Sequence, residues 1–241
     1  KVESLHENMK SWYTKNDKMP IYILQSLSLI KKEYLRRSQI LTIDDAYKIS
    51  NNFQNEEFLN DWNEMAGFVE EAIKRLTDRR FGFGAPNYNL IPYTVTVPII
   101  AALLKTIENR DDKTNCMDKI SLWYWNTIKG DNYSGSTDSK GEADYKIMVD
   151  WFDNPDAQPF SNVEVEDFNT SKTSSALYKG IMCLIVKKGA LDFIENDPPD
   201  YSKLHDHHIF PKSKAEKYNA KPGDINSILN RTLIFEKTNE W

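Results

Sequence analysis

With 241 residues, 40% of them hydrophobic and 28% charged, the chain has the composition of a globular protein with a substantial core. Its net charge of -5 argues against a protein that coats nucleic acid, and no apolar run approaches the ~18 residues of a membrane span. Two distant cysteines, Cys116 and Cys183, argue against a disulfide framework or a cysteine-based zinc site and fit a reducing, cytoplasmic setting.

Charge is uneven along the chain. Residues 203–241 carry seven Lys/Arg against five Asp/Glu, a net of +2, which leaves -7 for residues 1–202. The C-terminal end is therefore the end best suited to a polyanion. The first eighteen residues are polar, unlike a signal peptide, and the first is Lys rather than Met, which suggests a segment upstream.

Taken in order, the first helical stripe is Ile23, Leu24, Leu27, Ile30 and Tyr34, within a helix expected over Pro20–Arg37. A short helix is expected over Asp44–Phe53. The clearest one runs from Glu56 to Leu76, with Phe58, Trp62, Met65, Val69, Ile73 and Leu76 at three- and four-residue spacing and Asn55 as its cap. Its basic end, Arg75, Arg79 and Arg80, suits the helix C-terminal dipole rather than a phosphate site. Phe81–Tyr93 reads as a loop, and Gly82-Phe83-Gly84 lacks the lysine of a phosphate loop.

Thr96-Val97-Pro98 opens a helix whose residues Val97–Leu104 are apolar almost all round, the mark of a buried central helix. Ile120–Ile128 is expected to be helical, Gly130–Gly141 a polar loop, and Ala143–Phe152 helical again. Asn154–Thr173 reads as irregular, with an extended piece at Val163–Val165. Ala176–Lys188 is expected as a helix with Leu177, Ile181, Leu184 and Ile185 inward, stopped by Gly189. The prolines of Asn196–Asp200 mark the best domain boundary, between a helical domain over 1–196 and a small domain over 201–241.

Beyond that boundary, Leu204–Phe210 and Thr232–Phe235 can pair as two strands. The polar connection between them holds Lys212, Lys214, Lys217 and Lys221, and connections that long are uncommon unless they do something. His205, His207 and His208 are three of the four histidines in the chain, and Asn230 and Asn239 follow His208 at 22 and 31 residues. On a strand, His207 and His208 point to opposite faces. One imidazole can then hold a divalent metal while the other takes the proton of an attacking water.

This arrangement resembles the HNH, or ββα-metal, nuclease motif: His207-His208, the strand-borne Asn230, and a last ligand, Asn239, nine residues on. The continuation Ile209-Phe210-Pro211-Lys212 resembles the C-terminal nuclease region of GmrSD-type modification-dependent restriction enzymes. Trp123-Tyr124-Trp125 leading to Tyr133-Ser134-Gly135, and Leu177-Tyr178-Lys179 leading to Gly189-Ala190-Leu191-Asp192-Phe193, resemble that family's middle region.

The resemblance implies a mainly α protein, a multi-helix domain followed by an HNH-like ββα-metal motif whose last helix is truncated at Trp241. It implies His207 and Asn239 as ligands of Mg2+ or Mn2+, with Zn2+ as an alternative, and His208 as general base. Asn230 would orient His208, by holding the loop or by bonding the ring. Asp206 takes a supporting role, His205 is expected exposed, and Arg231 has none; Lys212 and Lys214 are candidate DNA phosphate contacts. The implied activity is endonucleolytic hydrolysis of double-stranded, modified DNA in bacterial phage defence, with a nucleotide-hydrolysing domain upstream and homo-oligomers as an option. The alternative is a non-catalytic helical protein that binds DNA or a structural zinc.

Overall fold

In a computed structural model, the described residues are 18–32, 34–40, 42–47, 55–130, 132–133, 135, 137–160, 172–194, 200 and 203–239. Among them the chain is mainly helical, with a two-stranded antiparallel sheet near its end. It groups into two compact units, one made of Lys1–Lys74, Thr94–Thr127 and Asn132–Asn162, the other of Arg75–Tyr93, Ile128–Asp131 and Val163–Trp241. The boundary expected at Asn196–Asp200 and the extended piece at Val163–Val165 lie outside the described residues, save Asp200.

The first unit is built on helices α1 (Met19–Lys32), α2 (Arg37–Ile40), α3 (Ile43–Tyr47), α4 (Glu56–Thr77), α5 (Thr96–Thr106), α6 (Lys113–Lys129) and α7 (Thr137–Asp153), of which α4 and α6 run on into the second. Asn55 accepts from the Phe58 amide at 3.1 Å and caps α4 as expected, which satisfies one of its free N–H groups. α5 is buried at every residue from Thr96 to Leu104, so it needs no polar face. α1 and α7 pack against it.

α7 corrects the loop expected over Gly130–Gly141, because its first turn takes in Thr137–Gly141. Gly141 is helical for a steric reason. A Cβ there would sit 2.8 Å from Leu35 and 2.9 Å from Ile99, so glycine is what lets the helix approach.

The second unit holds α8 (Ala176–Lys187), strand β1 (Leu204–His208), α9 (Pro222–Asn226), strand β2 (Arg231–Phe235) and α10 (Glu236–Asn239). Ser175 caps α8 by accepting from the Tyr178 amide, and Gly189 ends it at φ +71°, a conformation glycine takes without strain. The inward face of α8 differs in part from the one expected. Tyr178, Met182 and Val186 form a core with Ile228 and Leu233, Ile181 and Ile185 pack against it while partly buried, and Leu184 is exposed. A second face is also covered: Gly180 meets Ile128, and the Cys183 thiol donates to the Leu90 carbonyl at 3.4 Å. Two buried faces make a simple aliphatic stripe a poor guide to orientation.

Candidate metal and nuclease site

β1 and β2 pair antiparallel in a register that sets His205 opposite Ile234, Asp206 opposite Leu233, His207 opposite Thr232 and His208 opposite Arg231. Alternation then sorts the side chains. Leu204, Asp206 and His208 share one face with Phe235, Leu233 and Arg231, and Leu233 roots that face in the α8 core. His205 and His207 share the other with Ile234 and Thr232. The two adjacent imidazoles therefore do not converge.

His208 is half-buried, and its Nε2 lies 3.4 Å from the Asn226 Oδ1. If Nε2 carries the proton and donates there, Nδ1 keeps the lone pair that a base requires. Burial, then the guanidinium of Arg231, lowers the His208 pKa below its ordinary value, against the opposing pull of Asn226 and Asp206. Both leading causes disfavour the imidazolium. His207, also half-buried, has the ring of Phe193 edge-on with centroids 6.4 Å apart.

Asn230 ends a 3-10 turn just before β2 rather than lying on the strand as expected, and its side chain holds the connecting chain. Its Oδ1 accepts from the Phe210 amide at 2.7 Å, and its Nδ2 donates to the carbonyls of Phe210 at 3.0 Å and Ile225 at 2.8 Å. It thus ties the two ends of the connection together rather than bonding the ring. That connection is not structureless: it contains 3-10 turns at Lys212–Lys214, Glu216–Tyr218 and Ile228–Asn230, with α9 between. An open cavity of about 450 Å³ lies within it, lined by Phe210, Asp224, Ile225, Leu229 and Asn230 among others. Lys212 and Lys214 are exposed, and Lys212 is among the charges acting on His208.

Asn226 was missed by sequence reasoning, since nothing in a five-residue helix inside a polar connection marks it. Arg231 was set aside, yet its Nη1 is paired with Asp206 Oδ2, its side chain is 10% exposed, and its Nε is buried without a partner. The missed signal was cross-strand pairing with Asp206 rather than alternation from Asn230. His205 is exposed, with Nε2 4.0 Å from Glu236.

The backbone of Asn239 ends the described part of α10, which packs against both strands; its side chain lies outside the described residues. Among the described residues no three His, Cys, Asp or Glu side chains gather as a metal-ligating group. The expected ligand pair includes an asparagine, and one imidazole with one amide oxygen suits an ion that keeps most of its waters. Burial pushes the Cys183 thiol up to about 12, which favours its protonated form. No helix among the described residues is long and apolar enough to cross a membrane.

No protein-family model matches the chain, and no solved structure does. A curated relative, an uncharacterized protein of Methanocaldococcus jannaschii, is 32% identical over 92% of this chain and 38% of its own length. The chain thus spans well under half of the relative it matches.

Proposed function

We propose that the hairpin and α10 form a divalent-metal-dependent endonuclease site of the HNH type, acting on phosphodiester bonds of double-stranded DNA. The observation that carries this reading is the ββα order of β1, β2 and α10, with His207 and His208 on opposite faces and Asn230 holding the intervening chain.

His207 and Asn239 are the residues that would hold Mg2+ or Mn2+. When bound, the ion supplies charge to polarise the phosphate and stabilise the leaving oxygen. His208 accepts the proton of the attacking water at Nδ1, with Nε2 directed at Asn226. Asn230 fixes the backbone at Phe210, two residues beyond the base, and so limits its movement. Lys212 and Lys214 offer exposed positive charge for DNA phosphates. The resemblance of the sequence extends the proposal to restriction of modified foreign DNA.

The test is nicking of supercoiled plasmid by the full-length protein across a Mn2+ and Mg2+ titration. Metal-dependent nicking is expected, with His207→Ala raising the metal required. Nicking that persists in chelator, or a His207→Ala protein with an unchanged metal requirement, would remove the assignment.

A further inference from the structure

The stretch Gly189–Phe193 was singled out in the sequence without any task, and the proposed site does not use it. Its Asp192 is only 5% exposed. Burying a carboxylate is unfavourable unless its oxygens are bonded. Here Oδ1 accepts from the Ile194 amide at 2.9 Å and from the Thr238 hydroxyl at 2.8 Å, and Oδ2 accepts from the Phe235 amide at 2.9 Å. These donors come from its own turn, from α10 and from the last residue of β2.

The location of those donors matters more than their number. Phe235 closes β2, opposite Leu204 at the start of β1, and Thr238 immediately precedes Asn239. Thr238 is itself 8% exposed. One side chain therefore pins the helix that bears one proposed ligand to the hairpin that bears the other. The next residue, Phe193, places its ring edge-on to His207, at an interplanar angle of 74°. A four-residue helix has too few internal bonds to hold its own place, so its position must come from such outside contacts.

We infer that Asp192 is a positioning residue of the proposed nuclease, setting the spacing between His207 and Asn239 before a metal arrives. The inference rests on the nuclease reading, and it assigns Asp192 no contact with substrate or ion. Outer partners of metal ligands act on affinity, and their loss weakens metal binding by roughly 10–100-fold.

The experiment compares Asp192→Asn, Thr238→Val and Thr238→Ser with wild type in the full-length protein. Mn2+ affinity is read by EPR of the free ion, and amide exchange at residues 235–238 is read in metal-free protein. Asn at 192 retains one acceptor oxygen but presents an NH2 where the second acceptor was, and Val at 238 removes the hydroxyl.

Asp192→Asn and Thr238→Val are expected to weaken Mn2+ binding about tenfold or more and to speed exchange in α10. Saturating Mn2+ should recover most of the cleavage rate, and Thr238→Ser should behave as wild type. Should Asp192→Asn fail to fold, the Thr238 pair carries the comparison alone. Folded Asp192→Asn and Thr238→Val proteins with wild-type Mn2+ affinity, while His207→Ala loses it, would overturn the inference and leave the nuclease reading standing. Wild-type protein that binds no Mn2+ would overturn both.

Discussion

The helical body and the hairpin spend their polar side chains differently. In the first unit, acids are tied into the scaffold itself: buried Glu142 accepts from the amides of Leu35 at 2.8 Å and Arg36 at 3.1 Å, and half-buried Asp144 accepts from Trp123 at 2.8 Å and Tyr133 at 2.6 Å. Three of the four donors belong to the buried residues Leu35, Trp123 and Tyr133, whose N–H or O–H groups demand a partner. In the hairpin, His207 and His208 are half-buried, Arg231 has a buried Nε without a hydrogen bond, and His208 stands opposite Arg231 in the register. Placing positive charge across from a titratable base disfavours its protonation. The first unit also buries polar atoms without a hydrogen bond, at Ser28, Gln39 and Trp151. Among the described residues it sets no half-buried imidazoles beside them, and that pairing is what marks the hairpin as the place where function is expected.

The largest separation between the two regions is expected from His208→Ala. Cleavage should fall by about 10²–10⁴-fold, while the unfolding free energy in urea stays within about 0.5 kcal/mol of wild type. A variant that unfolds instead would place His208 with the structural residues.

The mirror image is Leu103→Ala in fully buried α5. It should cost about 2–5 kcal/mol in urea unfolding and leave cleavage per folded molecule unchanged. Asn230→Ala should fall between the two, costing about 1–3 kcal/mol by stranding the Phe210 and Ile225 groups and also lowering cleavage. Amide shifts confined to those residues would check the local origin.

The smallest effect is expected at Asp78, an exposed residue whose carboxylate accepts from the amides of Phe81, Gly82 and Arg80. Those bonds, led by Phe81, hold its pKa below the ordinary carboxylate value. A depressed folded-state pKa stabilises the fold above the unfolded-state value near 4, and that contribution is lost as pH falls through the folded-state value. The melting-temperature gap between wild type and Asp78→Asn should therefore shrink on acidification from pH 7. A gap that widens would contradict this account of the turn.

Much of the helical body was legible because its signals are local. α4 repeats large apolar residues at helical spacing, and Val97–Leu104 offers no polar side chain to face water. Gly141 misled because glycine counts as a breaker, whereas here it answers a contact with Leu35 and Ile99 that lies far away in sequence. α8 misled for a related reason: its aliphatic residues are shared between two covered faces, and Tyr178 and Met182 take the β2 side.

At the site, β-branched residues marked β2, and strand alternation separated His207 from His208. The supporting residues were hidden because each acts across a fold contact: Asn226 on His208 over 18 positions, Arg231 on Asp206 over 25, and Asp192 on Thr238 over 46.

In the proposed site, adjacent imidazoles on opposite faces have different tasks, His207 holding the metal and His208 moving a proton. Pulsed EPR of Mn2+ on the full-length protein tests it directly, through the hyperfine coupling of a coordinated imidazole nitrogen. One such coupling is predicted, lost in His207→Ala and retained in His208→Ala. Its absence from wild type, or its loss in His208→Ala with retention in His207→Ala, would contradict the account.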